Sequence, residues 1–291
     1  MFDGLLLHPR THKQLEAFIA NTSHGLILTG PEGAGKRHVA KAVAAAVLGL
    51  DAHKLDKHPY YSLTDPSDSS ITIDEIRALQ RLLTLKTPST AEGIKRVITI
   101  IDAGRMRQEA QNAFLKSLEE PPADTLIILT ADASGDLLDT IFSRAQKIEV
   151  LPVSEPMAQA FFAENGVPAV ELARNYALSQ GQAGLLSSLL NRDETHGLKA
   201  AVDEAKQLLA KPAGERLLRS DELAKDKPAM ILLIDALGRI THAALMSASK
   251  ADNMTAVKRW KASLAAVQDA REAMKYNANT KLVLDNLFLS L

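Results

Sequence analysis

The first half of the chain alternates two kinds of hydrophobic pattern. Gly25-Leu26-Ile27-Leu28-Thr29 is a short apolar run ending in a glycine-rich loop, and residues 36–48 are alanine-rich with helical spacing. Arg96-Val97-Ile98-Thr99-Ile100-Ile101-Asp102 is β-branched and apolar on both faces, the pattern of a central parallel strand. Residues 108–119 set Ala110, Ala113, Phe114 and Leu118 on one helical face before Pro121-Pro122 ends the helix. Thr125-Leu126-Ile127-Ile128-Leu129-Thr130 predicts another buried strand, and Lys147-Ile148-Glu149-Val150 a shorter one. Strands alternating with helices through residues 1–152 predict an α/β domain with a doubly wound parallel sheet.

After Leu151-Pro152 the strand patterns stop. Residues 153–211 carry helical patterns broken at Gly166-Val167-Pro168 and Gly181-Gln182-Ala183-Gly184, which predicts a small helical domain. From residue 212 to 291 the segments 230–246, 254–276 and 280–291 are amphipathic or apolar and suit an all-helical bundle or assembly surface. Trp260 and the methionines at 230, 246, 254 and 274 are expected to pack helix faces there. Lys258, Arg259 and Lys261 read as a solvated face. Residues 54–70 are polar and turn-rich and read as an irregular excursion from the first domain.

Composition narrows the classes of function. The formal net charge is −1, so the chain does not coat DNA by itself, and any DNA contact is local or shared. There is no cysteine, which excludes disulfides and cysteine-ligated zinc. His53 and His58 lack the further ligands of a zinc site and read as loop histidines, so no metal-ligand set is assigned. Met1-Phe2-Asp3-Gly4 does not open a signal peptide, and no uninterrupted apolar run approaches about 18 residues. A cytoplasmic protein with no membrane partner is expected.

One segment carries chemistry. Gly30-Pro31-Glu32-Gly33-Ala34-Gly35-Lys36 fits G-x-x-x-x-G-K, follows a strand and opens a helix. Gly30, Gly33, Ala34 and Gly35 would bring backbone N–H groups to phosphate oxygens, Pro31 would shape the same loop without an N–H of its own, and Lys36 would add a point charge. The next residue of such a loop is Ser or Thr, whose hydroxyl ligates Mg²⁺; here it is Arg37, which offers no acceptor. Its side chain either faces solvent or touches phosphate. Asp102, at the end of a buried strand, can orient Mg²⁺ through water, but the position that would hold a water-activating glutamate is Ala103. Losing such a base alone removes about 10²–10⁴ of rate. Hydrolysis by this chain is therefore not expected, while binding of ATP or ADP stays open and is not required. Thr130 ends a strand beside the loop, as a γ-phosphate sensor or as a strand cap.

Asn112-Ala113-Phe114-Leu115-Lys116-Ser117-Leu118-Glu119-Glu120-Pro121-Pro122 resembles the N-A-L-L-K-x-L-E-E-P-P signature of bacterial clamp loader subunits, which are AAA+ proteins. Ser143-Arg144-Ala145 is similar to their S-R-C motif, and residues 71–77 to their I-x-I-D-x-I-R. The motif order also matches across residues 8–152, and Asn277-Ala278-Asn279-Thr280-Lys281-Leu282 resembles the family's last collar helix. The resemblance implies an AAA+ domain over 1–152, a helical lid over 153–211 and an oligomerisation collar over 212–291. It implies gamma/tau and delta subunits as partners, with the sliding clamp and primed DNA met through the assembled complex. It implies that Arg144 is a trans arginine finger completing a neighbour's ATP site. Motor subunits of the family carry an Asp-Glu pair, an intact G-K-[ST] and a lid arginine; this chain has Asp102-Ala103, Arg37 and, at the aligned lid position, Gly184. The family's four-cysteine zinc module is either metal-free or missing here, because residues 54–70 hold no cysteine, so no zinc is expected. Arg105, Arg107 and Lys116 either face DNA in the spiral or form a solvated face. An ATP-hydrolysing motor with unusual substitutions and a replication or recombination adaptor on the same fold remain as alternatives.

Overall fold

The computed structural model describes residues 2, 4–66, 70–85, 93–132, 137–191, 196–276 and 278–291. Met1, Asp3, residues 67–69 of the excursion and Asn277 of the C-terminal run lie outside them. The chain forms two compact units, Met1–Ser154 with Gln182–Gly184, and Glu155–Gly181 with Leu185–Leu291.

The first unit contains helices α1 (Pro9–Ala20), α2 (Lys36–Val47), α3 (Ile73–Thr84), α4 (Gln108–Glu119) and the short α5 (Asp139–Phe142). Its strands are β1 (Gly25–Thr29), β2 (Tyr61–Thr64), β3 (Arg96–Ile100), β4 (Thr125–Ala131) and β5 (Gln146–Glu149). Among the described residues they make one sheet in the order β2-β3-β4-β1-β5, with every pairing parallel. Every residue of β1, β3 and β4 is buried, as their two-faced apolar patterns predict. Alternation along the strands divides the core. Leu26, Leu28, Leu126 and Ile128 meet Phe18 of α1 and Val39 and Val43 of α2. Ile27, Ile98, Ile100 and Ile127 meet Ile76 and Leu79 of α3 and Phe114 and Leu118 of α4.

The excursion is more regular than its composition suggests. It contains a 3₁₀ turn, Ala52–Lys57, and β2, which pairs with β3 from Tyr61–Val97 to Thr64–Ile100. All four β2 residues are half-buried at the sheet edge, so no hydrophobic run marks the strand; its ladder to β3 does. The register sets Thr29 beside Ala131 and Ile100 beside Leu129. The carboxyl ends of β1, β3 and β4 thus finish together, the edge where open α/β sheets hold ligands.

The second unit is helical: α6 (Glu155–Ala163), α7 (Ala169–Ser179), most of α8 (Ala183–Asn191), α9 (Gly197–Ala210), α10 (Ala213–Leu223), α11 (Lys227–Lys250), α12 (Met254–Lys275) and α13 (Thr280–Ser290). Its core joins Leu198 and Val202 of α9, Leu233 and Leu237 of α11, Val267 of α12 and Leu284 and Phe288 of α13. By length and composition α11 is apolar enough to cross a membrane. A scan for unbroken apolar runs passes over it because Asp235 and Arg239 interrupt the pattern. Arg239 is buried and donates to Asp235 and to the Ser179 carbonyl, while Arg271 holds the other Asp235 oxygen. With Met230, Leu233, Ile234 and Leu237 also buried, α11 is a core helix of this unit. Met230 and Met274 pack as expected, but Met246 and Met254 are exposed. Met246 lies near the end of α11, and Met254 opens α12 ahead of its first buried residue, Ser263. Trp260 is half-buried with the Arg259 guanidinium 5.1 Å from its ring, and Lys258, Arg259 and Lys261 are exposed.

Candidate nucleotide site and surface arginine

The phosphate loop leaves β1 at Gly30 and enters α2 at Lys36. Gly35, the residue before the helix, has φ +92, a left-handed conformation that glycine adopts without penalty. Lys36 is buried, and its ammonium donates to the Gly30 carbonyl at 2.8 Å, the Pro31 carbonyl at 3.1 Å and Asp132 Oδ1 at 2.5 Å. All three of its donors are thus engaged inside the chain. Asp132 follows β4, so this partner comes from a strand end about a hundred positions away in sequence.

Asp102 sits at the end of β3 in a left-handed conformation, φ +47, which Asp tolerates better than most residues. Its backbone N–H donates to Thr130 Oγ1 at 2.9 Å, so the Thr130 hydroxyl links two strand ends. Carboxylate oxygens of Glu32, Asp102 and Asp132 all lie within 4.8 Å of one another, a grouping with the donor chemistry for a hard divalent cation. Burial, then the Asp132 charge, raises the pKa of both Glu32 and Asp102, against the opposing pull of Lys36. Spacing could not reveal Glu32 and Asp132 as members of this cluster, because only the sheet register brings them to Asp102.

Arg37 is half-exposed and forms an ion pair with Asp65, just past β2; this is a third geometry beside solvent and phosphate. Ala103 is fully buried in the apolar cluster with Ile71, Ile100 and Met106. Gly184, counted with this unit, touches the phosphate loop: a Cβ there would lie 2.7 Å from Gly35 Cα and N and 2.9 Å from Gly33 O. No larger side chain fits at 184 in this conformation. Within the loop Ala34 N donates to the Pro31 carbonyl at 3.1 Å, and an internal carboxylate holds its lysine.

Arg144 lies just past α5, before β5. Its guanidinium donates to Glu119 Oε1 at 2.6 Å through Nη2, and to the Thr140 carbonyl at 2.8 Å and Ser143 Oγ at 3.1 Å through Nη1. His24 Nε2 lies 3.1 Å from the Arg144 carbonyl oxygen. A Cβ at Gly25 would lie 2.9 Å from Ala145 Cβ, so the Gly25 backbone leaves room for the Ala145 methyl. Glu119 belongs to the L-E-E-P-P run, so the two signature motifs meet here. Arg105 pairs with Asp102 at 3.8 Å, whereas Arg107 and Lys116 are exposed.

A parallel sheet ordered β2-β3-β4-β1-β5, with a glycine-rich loop opening a helix after β1 and an acidic residue ending β3, defines a P-loop fold of the AAA+ type. Residues 7–154 match the family model described as DNA polymerase III, delta subunit, and the chain belongs to that family. It is 30% identical over 211 residues to DNA polymerase III subunit delta' of Bacillus subtilis, covering 62% of this chain and 63% of that one. It is 32% identical over 142 residues to the subunit of the same name in Pseudomonas aeruginosa, covering 43% of this chain and 42% of that one. The matched region is thus less than two thirds of either relative's own length. A solved DNA polymerase III gamma subunit-related protein of Thermotoga maritima shares the fold over 96% of this chain and 97% of its own, with TM-score 0.51 and 20% identity.

Proposed function

We propose that this chain is a delta-prime subunit of a bacterial clamp loader, a subunit that does not hydrolyse ATP itself and lends Arg144 to the nucleotide site of a neighbouring subunit. Its partners would be gamma/tau and delta subunits, with the sliding clamp and primed DNA engaged through the complex. In this reading residues 153–211 serve as the lid and 212–291 as the collar that joins neighbours. ATP or ADP binding at Gly30–Arg37, with Asp102 and Thr130 alongside, would be incidental, and no zinc takes part.

The observation that carries the reading is the contrast between two cations. Lys36, the cation of the chain's own loop, is buried and neutralised by Asp132. Arg144 stands at the surface with its guanidinium held in place, and an arginine supplied in trans stabilises charge developing on a transferring phosphoryl group.

The test reconstitutes the loader with motor subunits whose own S-R-x arginine is alanine, leaving the site facing this chain as the one completed by an arginine. Arg144→Ala is then expected to lower ATP turnover, stimulated by clamp and primed DNA, by about 10³-fold or more. An unchanged rate would remove the trans-arginine role.

A further inference from the structure

We infer that Glu119 is the positioning residue for Arg144, an assignment that rests on the proposed role of that arginine. A surface arginine has a long flexible stem, and an exposed ion pair alone is a weak restraint. Here four contacts converge on one residue. Glu119 takes Nη2, the Thr140 carbonyl and Ser143 Oγ take Nη1, and His24 meets the main-chain carbonyl. Two of those partners, Thr140 and Ser143, lie on the short segment around α5, and His24 stands just before β1. Glu119 comes from the end of α4, 25 positions earlier in the chain, and is the anionic partner in the set.

Donor arithmetic gives the arrangement its use. A guanidinium has five N–H donors. The contacts above take three, so two remain for oxygen atoms outside this chain. Glu119 therefore aims the group without exhausting it. It also keeps the group oriented before a partner arrives, so that little reorganisation is needed at the moment of phosphoryl transfer. Glu119 is the last residue of α4, which closes where Glu120 N donates to the Lys116 carbonyl at 3.2 Å. On this account the L-E-E-P-P run and the S-R-x motif are two halves of one device.

The experiment uses the same reconstituted loader with wild type, Glu119→Ala, Glu119→Gln, Arg144→Ala and the double variant Glu119→Ala/Arg144→Ala. Glu119→Ala is expected to lower kcat by about 10- to 100-fold, since misplacing a catalytic group by an ångström costs about 10²-fold. KM for ATP should stay within about 2-fold, because the orientation of the finger matters in the transition state. Glu119→Gln keeps an acceptor of the same shape and should recover part of the loss. The double variant should be no slower than Arg144→Ala alone, because a group that acts only through Arg144 has nothing left to orient.

Three results would overturn the assignment. Glu119→Ala and Glu119→Gln at the wild-type rate, with Arg144→Ala slow, would mean the pair is ornamental. A double variant slower than Arg144→Ala would mean Glu119 acts on its own. A raised KM with unchanged kcat would place it in binding. An unaltered rate in Arg144→Ala would instead remove the trans-arginine reading itself, so the two failures are separable. Urea unfolding midpoints of the single variants report whether each fold is intact, and the isosteric Gln variant keeps the test open should the Ala variant unfold.

Discussion

Ala103 follows Asp102 and is buried among Ile71, Ile100 and Met106, so a carboxylate there would meet hydrocarbon and not water. Restoring the motor-type residue by Ala103→Glu should therefore give no ATP turnover in the purified chain. It should also cost about 3 kcal/mol or more of stability, the penalty for an uncompensated buried charge. Coupled ATPase assays and urea titration check the two parts, and measurable hydrolysis by the variant would show that the packing around position 103 does not forbid it. Residues at motif positions were legible in the sequence: Lys36, Arg37, Asp102, Ala103 and Arg144 stand at fixed offsets from glycines, a strand end or a signature. Their partners were not. Asp132, Glu119 and Asp65 reach Lys36, Arg144 and Arg37 only because the strand order brings distant turns together, and no local pattern records that.

At the scale of elements, boundaries follow local chemistry wherever a cap or a breaker is present. Helix α4 runs Gln108–Glu119, its expected span, with Pro121-Pro122 just beyond. Helix α3 opens with a capping box: Thr72 Oγ1 accepts from Glu75 N, and the Glu75 carboxylate accepts from Thr72 N at 2.7 Å and from Thr72 Oγ1 at 2.8 Å. Those bonds, the backbone one first, hold the Glu75 pKa below its ordinary value. A carboxylate depressed in the folded state stabilises the fold above its unfolded pKa, and that stabilisation is lost as pH falls through the folded value. Thr72→Ala should cost about 1 kcal/mol at neutral pH in urea titration, and the deficit should shrink below the carboxylate range. A deficit independent of pH would mean that the hydroxyl acts on the helix without the Glu75 charge. Strand β2 shows the opposite case, an element with no local announcement. Its four half-buried residues become a strand through the ladder to β3, a tertiary cause that outweighs a polar, turn-rich neighbourhood.

For the whole molecule, two sets of apolar residues matter separately. The sheet unit is built on the clusters around Val43 and Phe114, all from residues 2–150, and the helical unit on a cluster drawn from residues 178–288. The change of pattern after Pro152 sits beside the boundary at Ser154. What the sequence left open was that Gln182–Gly184 groups with the sheet unit while its neighbours on both sides do not. A chain with separate cores is not bound to unfold in one step. Phe114 and Phe288 are both fully buried, one in each unit, and truncating a buried phenylalanine to alanine costs about 3–5 kcal/mol. Urea unfolding should therefore show two transitions. Phe114→Ala should move the one reported by β-sheet circular dichroism, and Phe288→Ala the one reported by Trp260 fluorescence, since Trp260 lies on α12. If either substitution shifted both signals equally, the two cores would form one cooperative block. Arg144 would then be carried by the stability of the entire chain instead of by the sheet unit that holds it.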